Sequence, residues 1–546
     1  MSSTDRRRLG PRFAALLIVA SCPAALALNA DQSLGLTTAN GWRAFELLSQ
    51  GDSLAGIGDA GYGSTMTRGL FDGLGLYRDG MELSVWLNHE TTSAAISRVD
   101  LDLTQMRSAI DSVIAGGGGA GFTPVLGVGY AYDAIYDGGY HAVNQPLPIA
   151  IGTTAVAAYS SSNFSRFCSG TSHPREAFGP GRGFLDSLYL TGEEVTGGHF
   201  YALDESTRTL WEATDLGLGS WENAAAVDTG NETHVALVLS SDVGSGTGDY
   251  LRLYVGRKEI DANGDGAIDF LERNGLRGGD VYYFVPNSGS TTDLPDGAVS
   301  GLWSNSTAGA LRETKLEDIH TNPANGRQLV LADQTDGIYR LQVDLAFTPA
   351  GTLDVANSPI AIDQLDDDDV APIGAPDNVT WSRDGKLYVQ EDGDGDQIFQ
   401  MNAEGGGISL LATAASEPSG VIDASELLGY YPGSVLLTSL QGGINPAQLG
   451  VLVAPTATRL LPGDYNRDGV VDTNDYSSWA ADYSTATFSM ADGNEDGVVD
   501  LADYTVWRDH AGPVIGARSR GAVPEPTSVV LGMLLIFAAK LNLRRD

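Results

Sequence analysis

The chain is 546 residues long, more than one ordinary hydrophobic core accommodates, so a large domain with appendages is expected. Its 70 acidic residues outnumber 32 basic ones while only 19% of residues are charged, so the net charge of −38 is an acid excess that base does not balance. Such a surface repels nucleic acid, which excludes it as a partner, and attracts divalent cations. The 69 glycines point to many tight turns rather than long helices.

Residues 1–27 read as an export signal. Arg6-Arg7-Arg8 precedes Leu9 and the apolar run Phe13–Ala20, and Ala25-Leu26-Ala27 is a small-x-small cleavage site. The arginines loosely resemble a twin-arginine signal, which would export the chain folded around its metal. Val19-Ala20-Ser21-Cys22 also resembles a lipoprotein box, ranked below simple cleavage. Removal of the signal would leave Cys168 as the sole cysteine, with no internal disulfide open to it. A lone thiol has two readings: an inert, buried small hydrophobe, or a metal ligand.

Between residues 31 and 130 short apolar runs alternate with Gly and Asp turns. Leu83–Leu87 is a predicted strand that delivers Asn88-His89-Glu90 at its end, with Glu90 a candidate ligand. Leu103–Ile114 is a predicted helix, broken by the glycines 116–119. From Ile149 to Val453 the pattern is strands: Val235–Leu239, Leu251–Val255, Val281–Val285, Leu329–Ala332 and Ile338–Leu341 are short, β-rich and bounded by turns. Val379–Trp381 and Lys386–Val389 form a hairpin, with both Asp384 and Gly385 expected at positive φ. Repeated hairpins of this kind fit a mainly β fold, a β-propeller of about six blades over residues 31–460, rather than a sandwich. Asp366–Asp369 and Asp392-Gly393-Asp394-Gly395-Asp396 read as solvated charge runs, the second with calcium binding as a weaker alternative.

The segment Phe167–Val195 carries Cys168 and ends in Glu193-Glu194 on one strand–loop–strand stretch, which suggests a metal site. The ordered series Asn88-His89-Glu90, Cys168-Ser169-Gly170, Glu193-Glu194, Trp221-Glu222, Leu316-Glu317-Asp318-Ile319 and Pro376-Asp377-Asn378 resembles the PhoX family of bacterial alkaline phosphatases across residues 40–440. The resemblance implies a six-bladed propeller with ferric iron and calcium in its pore, twin-arginine export and hydrolysis of phosphomonoesters. By the same resemblance Cys168, Glu194, Glu222, Glu317, Asp377 and Glu391 are metal ligands, and Lys315 and Glu194 serve catalysis. Hard carboxylate oxygens suit ferric iron and calcium, and a thiolate adds a softer ligand. Lys315-Leu316-Glu317 stands where the family carries Arg-Pro-Glu, and a lysine does not reproduce the planar two-point grip of arginine on phosphate. A non-catalytic, metal-stabilised binding propeller and a related ester hydrolase are the alternative readings.

Three stretches follow the calcium-loop template of oxygen ligands with a glycine at the sixth position. One is an insertion, Asp261, Asn263, Asp265, Asp269 and Glu272. The other two are a tandem pair, Asp464, Asn466, Asp468, Asp472 and Asp475, then Asp492, Asn494, Asp496, Asp500 and Asp503. Each of the pair is followed by Tyr and Trp, Tyr476/Trp479 and Tyr504/Trp507. Residues 462–512 thus resemble a type I dockerin, a small α-helical, EF-hand-like module that folds on calcium and implies a cohesin-like partner. At the end, Val523-Pro524-Glu525-Pro526-Thr527-Ser528 precedes an apolar run and basic residues. Residues 523–546 resemble a PEP-CTERM segment, implying sorting machinery at the membrane, and the apolar run is short of the roughly 20 residues a span needs.

Overall fold

The computed structural model describes residues 34–59, 62–136, 164–367, 372–393, 395–443, 445–485 and 489–512. The expected export signal and the PEP-CTERM-like segment lie outside these residues, as do Asp368, Asp369 and Asp394 of the two charge runs. The described chain is mainly β, and the strands follow one another as antiparallel meanders. The first strand of each meander, Phe71–Asp79, Phe167–His173, Trp221–Val227, Leu316–Thr321, Pro376–Trp381 and Pro418–Asp423, lies against the first strand of the next, and the last returns to the first. That closed ring of inner strands, with later strands stacked outward, is a β-propeller. Two of the inner strands begin at proline, where no ladder N–H is lost.

The ring is fastened by the start of the chain. Arg43–Ser49 adds to the outer edge of Gln448–Val453, and Leu36–Thr38 adds to the outer edge of Ser409–Ala414. Ala298–Ser304 pairs on one side with Asp280–Pro286 and on the other with Pro359–Asp366, joining two neighbouring meanders at their rims into a nine-stranded sheet.

The predicted strands are present, each lengthened by one or a few residues, although Leu251 itself lies just before its strand, Arg252–Arg257. The predicted helix Leu103–Ile114 is present with the same ends: Asp102 caps it by accepting the Gln105 N–H, and Leu103, Met106, Ala109, Ile110 and Val113 form its buried face. The Asp384-Gly385 hairpin differs from expectation. Only Gly385 has positive φ, at 81°, and the loop closes over four residues, with Ser382 donating to Lys386 O and Gly385 donating to Ser382 O. A longer loop needs one left-handed residue where a two-residue turn needs two.

The tail comprises the helices Thr473–Asp482 and Leu501–His510, each opened by a capping box, Asp472/Asp475 and Asp500/Asp503. Its core is Tyr465, Trp479, Ala491, Val499, Tyr504 and Trp507. The two indoles are exchanged: Trp479 Nε1 donates to Asp500 O and Trp507 Nε1 to Asp472 O, so each helix anchors the loop of the other repeat.

Candidate metal centre in the propeller pore

Each inner strand carries one extra residue relative to its partner near its start. The register slips between Phe71 and Leu74, Phe167 and Gly170, Trp221 and Ala224, Leu316 and Ile319, Pro376 and Val379, and Pro418 and Gly420. A bulge of this kind bends the strand and re-aims a side chain that strict alternation would direct elsewhere. The second residue of each strand, lying inside the bulge, is Asp72, Cys168, Glu222, Glu317, Asp377 or Ser419. A second set follows the end of each partner strand: Glu90, Glu194, Asp242, Gln334, Asp392 and Gln441. A third set precedes each inner strand, Leu70, Arg166, Ser220, Lys315, Ala375 and Glu417. In five of the six meanders the carbonyl of this residue accepts the N–H of the second set, as in Glu90 to Leu70, Glu194 to Arg166 and Asp392 to Ala375.

These repeated positions bring together residues far apart in sequence. Ligand atoms of Asp72, Glu90 and Cys168, of Cys168, Glu194 and Glu222, and of Glu222, Glu317 and Asp377 lie within 4.8 Å of one another group by group. Shared members make the three groups one chain of donors. The thiol points toward acid, its Sγ 3.7 Å from Asp72 Oδ2, which removes the reading of Cys168 as a small hydrophobe among apolar neighbours. Of the residues expected as pore ligands, Cys168, Glu194, Glu222, Glu317 and Asp377 meet in this way. Glu391 does not: its carboxylate accepts the Gly374 N–H at 2.7 Å, tying down a loop, and the next residue, Asp392, occupies the repeated strand-end position. Neighbours along a strand face opposite ways, so a one-residue shift exchanges an acid at the repeated strand-end position for a tether. Asp392 is therefore no member of a solvated run; it acts on Asp377 and Glu417 and accepts a hydrogen bond from Gln334. Likewise Glu193 of the Glu193-Glu194 pair ties loops, accepting from Ser165 and His199.

Beneath the acids lies a hydrogen-bonded floor. Asn88 donates to Cys168 O, Ser169 O and Thr191 Oγ1, Asn378 donates to Ser169 Oγ, Asn223 bonds Asp318, and Val379 N donates to Asp318 Oδ2. These contacts cross from sheet to sheet and hold the bulges in register.

Among the described residues two cations reach the site, and both come from the third repeated set. Lys315 Nζ is 2.7 Å from Asp242 and 3.2 Å from Glu317. Arg166, at a left-handed φ of 53°, pairs with Glu90 and lies 2.6 Å from Glu194. Sequence reasoning missed Arg166, Asp72, Asp242 and Glu417; the signal that marks them is a position in a repeat whose residue types vary.

Two cations do not balance these acids. Burial, then neighbouring acids led by Glu90, raises the Asp72 carboxyl well above the carboxylate range. Burial pushes Glu222 up to about 8, and burial followed by the charge of Glu222 pushes Glu194 up to about 9. Glu317, Asp377 and the Cys168 thiol are raised well above their ordinary values, chiefly by burial. Asp72 Oδ1 and both Glu222 carboxylate oxygens are buried without a hydrogen-bond partner of good geometry, an arrangement that costs free energy unless a donor or a cation meets them. Multiply charged cations answer both problems, offsetting the crowded charge and filling the open lone pairs. The residues present thus fit a metal centre of hard oxygen donors and one sulfur.

The calcium-loop residues are placed differently. In the tail, Asp475 accepts from Asn466 N and Asp472 N, and Asp464 from Gly469 N; Asp503 accepts from Asn494 N and Asp500 N, and Asp492 from Gly497 N. Asp468 and Asp496 accept from Val470 N and Val498 N. The insertion repeats this scheme, with Glu272 accepting from Ala262, Asn263 and Asp269, and Asp261 accepting from Gly266. Among the described residues none of the three loops brings three acid oxygens within 4.8 Å, and their acids hold backbone N–H groups instead.

Fold and pore together define a class: a β-propeller whose inner strands gather acids and one thiol able to hold a metal ion. No family model and no curated protein sequence matches the chain. Among solved structures the chain is similar to PhoX of Pseudomonas fluorescens, determined in complex with vanadate, a transition-state analogue. The TM-score is 0.52 at 13% identity, covering 79% of this chain and 98% of that one. More remote matches are the β-propeller domain of the trilobed protease from Pyrococcus furiosus (TM-score 0.24, 9% identity, 72% of this chain and 98% of that one) and a family AA12 carbohydrate-active enzyme of Trichoderma reesei (TM-score 0.29, 9% identity, 78% and 99%). The likeness to PhoX is one of fold.

Proposed function

We propose that the chain is an exported, metal-dependent phosphomonoesterase of the PhoX-like kind, built on a six-bladed propeller. In this reading it carries a dockerin-like calcium module and a C-terminal sorting segment that directs it to the cell surface. The observation that supports the reading is the convergence of Cys168 with the acids of successive inner strands, in a fold shared with a protein that holds a phosphoryl transition-state analogue. Asp72, Glu90, Cys168, Glu194, Glu222, Glu317 and Asp377 would hold the ions, iron and calcium being those the residues suit. Such ions neutralise phosphoryl oxygens and supply a nucleophile at neutral pH.

The chain's own residues set the rest. Lys315 and Arg166 are the groups able to meet an anionic oxygen at the pore mouth. Both are pre-oriented by carboxylates, Lys315 by Asp242 and Glu317 and Arg166 by Glu90 and Glu194, so little side-chain freedom is lost when a phosphoryl group arrives. Arg166 supplies the planar guanidinium that Lys315 lacks. Glu194 sits between Arg166 and the thiol group of donors, so it both shares in metal binding and aims the guanidinium.

The test is phosphate release from a chromogenic phosphomonoester by the full mature chain loaded with iron and calcium. Cys168→Ala is expected to lose metal and activity together. Lys315→Ala and Arg166→Ala are expected to keep metal and lose activity by roughly 10²-fold or more, the scale of a lost charge-stabilising contact. Release no greater than that of Cys168→Ala would remove the reading. One observation favours a second: Lys315 is already held by two carboxylates. A binding propeller that uses metal for structure alone is expected to hold calcium without iron, and to leave an ester and a phosphomonoester equally untouched.

A further inference from the structure

The inner strands meet a second time, at their far ends. Leu76, His173, Ala226, Thr321, Trp381 and Ile422, one from each strand, line a cavity of about 380 Å³. They stand three to five residues after the metal-centre position of the same strand. That is roughly 10–17 Å further along at about 3.3 Å per residue. The cavity shares no residue with the pore donors. Its volume lies within the roughly 300–1,000 Å³ of small-molecule sites.

The wall is largely apolar, with Phe178, Trp381 and Met490 its broadest surfaces, and the charged groups lie together. Glu426 is set between two arginines, its Oε2 3.4 Å from Arg383 Nε and its Oε1 2.8 Å from Arg467 Nε. The second contact lacks hydrogen-bond geometry. Arg467 Nε is buried with no acceptor aligned to it, although the side chain as a whole is only 20% exposed. Asp423, the other acid of the lining, is already occupied, accepting from Ser382, Ser425 and Gly433. A planar fork of donors is therefore left without a full set of acceptors beside an apolar surface.

Arg467 belongs to the tail. It stands three residues after Asp464, as Glu495 stands three after Asp492, and both have left-handed φ, 62° and 58°. Glu495 is met by two guanidinium groups of the propeller, whereas Arg467 shares the single carboxylate of Glu426 with Arg383. Propeller and tail together enclose the cavity, and the tail brings the group whose partner is incomplete.

We propose that this cavity binds a small organic acid, its apolar body against Phe178, Trp381 and Met490 and its carboxylate on the guanidinium of Arg467.

The chemistry of the lining selects that class. A wholly apolar occupant would leave a desolvated guanidinium unanswered, and a cation would be repelled by two arginines. A carboxylate matches the planar fork with two oxygens. A dianion such as a phosphate is opposed by Asp464 and Asp482, whose charges also act on Arg467. Because tail and propeller both hold the ligand, it binds the docked tail and not the free one, and so strengthens docking. The inference does not depend on the chemistry of the pore.

The experiment is equilibrium dialysis of the full mature chain against naphthoate and its neutral amide, naphthamide. One equivalent of naphthoate is expected to bind saturably, tenfold or more tightly than naphthamide. Arg467→Gln should bring naphthoate down to the level of the amide. Ala177 is exposed on the cavity's propeller side, so Ala177→Trp leaves the tail contacts intact, and it should weaken both probes tenfold or more. Saturating naphthoate should also slow limited proteolysis of the parent near residues 454–463. No saturable binding of naphthoate, or no preference for it over naphthamide, would overturn the proposal. So would parental affinity in Arg467→Gln or an unchanged proteolysis rate. Should Arg467→Gln release the tail, Ala177→Trp and the proteolysis of the parent decide the matter.

Discussion

At the scale of single residues, the pore depends on positions where a side chain must be absent as much as on its ligands. A Cβ at Gly73 would lie 2.6 Å from Cys168 O and from Gly170 N, and one at Gly420 would lie 2.6 Å from Asp72 O. Neither glycine has positive φ, so the constraint is the close approach of neighbouring inner strands, not backbone strain. Gly73→Ala is expected to cost about 1–3 kcal/mol of stability, the usual cost of overfilling, and to displace Cys168 enough to lower metal content. Unchanged urea midpoint and unchanged metal content would show the strands can part freely. His173 makes a different demand. It is buried at the end of the Cys168 strand, its Nε2 donates to Ala224 O, and burial lowers its pKa to about 3. A base whose folded pKa lies below its unfolded value of about 6.5 contributes stability that is complete above that value and lost as pH falls through it toward 3. Stability is expected to fall by roughly 2 kcal/mol on this account between pH 7 and pH 5. His173→Asn should flatten that slope relative to the parent; equal slopes in urea unfolding at the two pH values would refute the assignment.

At the scale of elements, the tail is docked onto the propeller through the second of its two Asp-rich loops. Glu495, at a left-handed φ of 58° in that loop, is 3.0 Å from Arg78 Nη2 and accepts from Arg107 Nη1 at 2.7 Å, and these contacts hold its pKa down to about 2. Arg467 to Glu426 and Tyr431 to Asp464 add a second point of attachment at the first loop. Glu495→Gln is expected to weaken docking by about 1.5–3 kcal/mol, the range for hydrogen bonds to charged groups, while leaving propeller melting unchanged. Limited proteolysis near residues 454–463 should then quicken, as it should in the parent on adding a chelator, because loop and clamp share a backbone. Cleavage at the parental rate would show that the tail is held elsewhere. The paired tail helices and helix Leu103–Ile114 were legible because their signals are local: a repeated Asp spacing, a cap and an apolar face. Cys168, Glu222, Glu317 and Asp377 were legible only through their order along the chain. Asp72, Asp242 and Arg166 were not, because the repeat they belong to is a repeat of position. Equivalent bulge positions hold Asp, Cys, Glu and Ser, so no residue pattern recurs, and the slip of one residue that creates the bulge cannot be read from alternation.

At the scale of the molecule, the metal centre and the closure of the ring are one problem. Asp72 belongs to the first meander, and Glu417 and Gln441 to the last. Gln441 Nε2 donates to Glu90 at 2.6 Å and to Glu417 at 3.2 Å, so the pore is completed across the seam where the ring closes. That seam is held by the strand Arg43–Ser49, which belongs to the beginning of the chain but is built into the sheet of its end, with Leu47 and Leu48 buried in the shared core. Acids of the first meander, tied to the last by Gln441, would link binding and closure: whatever favours the open ring would lower apparent metal affinity, and metal would in turn stabilise the closed one. Leu48→Ala, fully buried and far along the chain from every ligand, tests this. It is expected to cost about 2–5 kcal/mol in the metal-free chain, the range for truncating a core leucine. It should also reduce apparent metal affinity, and the rise in melting temperature on adding metal should be at least as large as in the parent. A Leu48→Ala chain as destabilised as expected, yet binding metal with parental affinity, would mean that the pore is assembled without the seam and that the two features are independent.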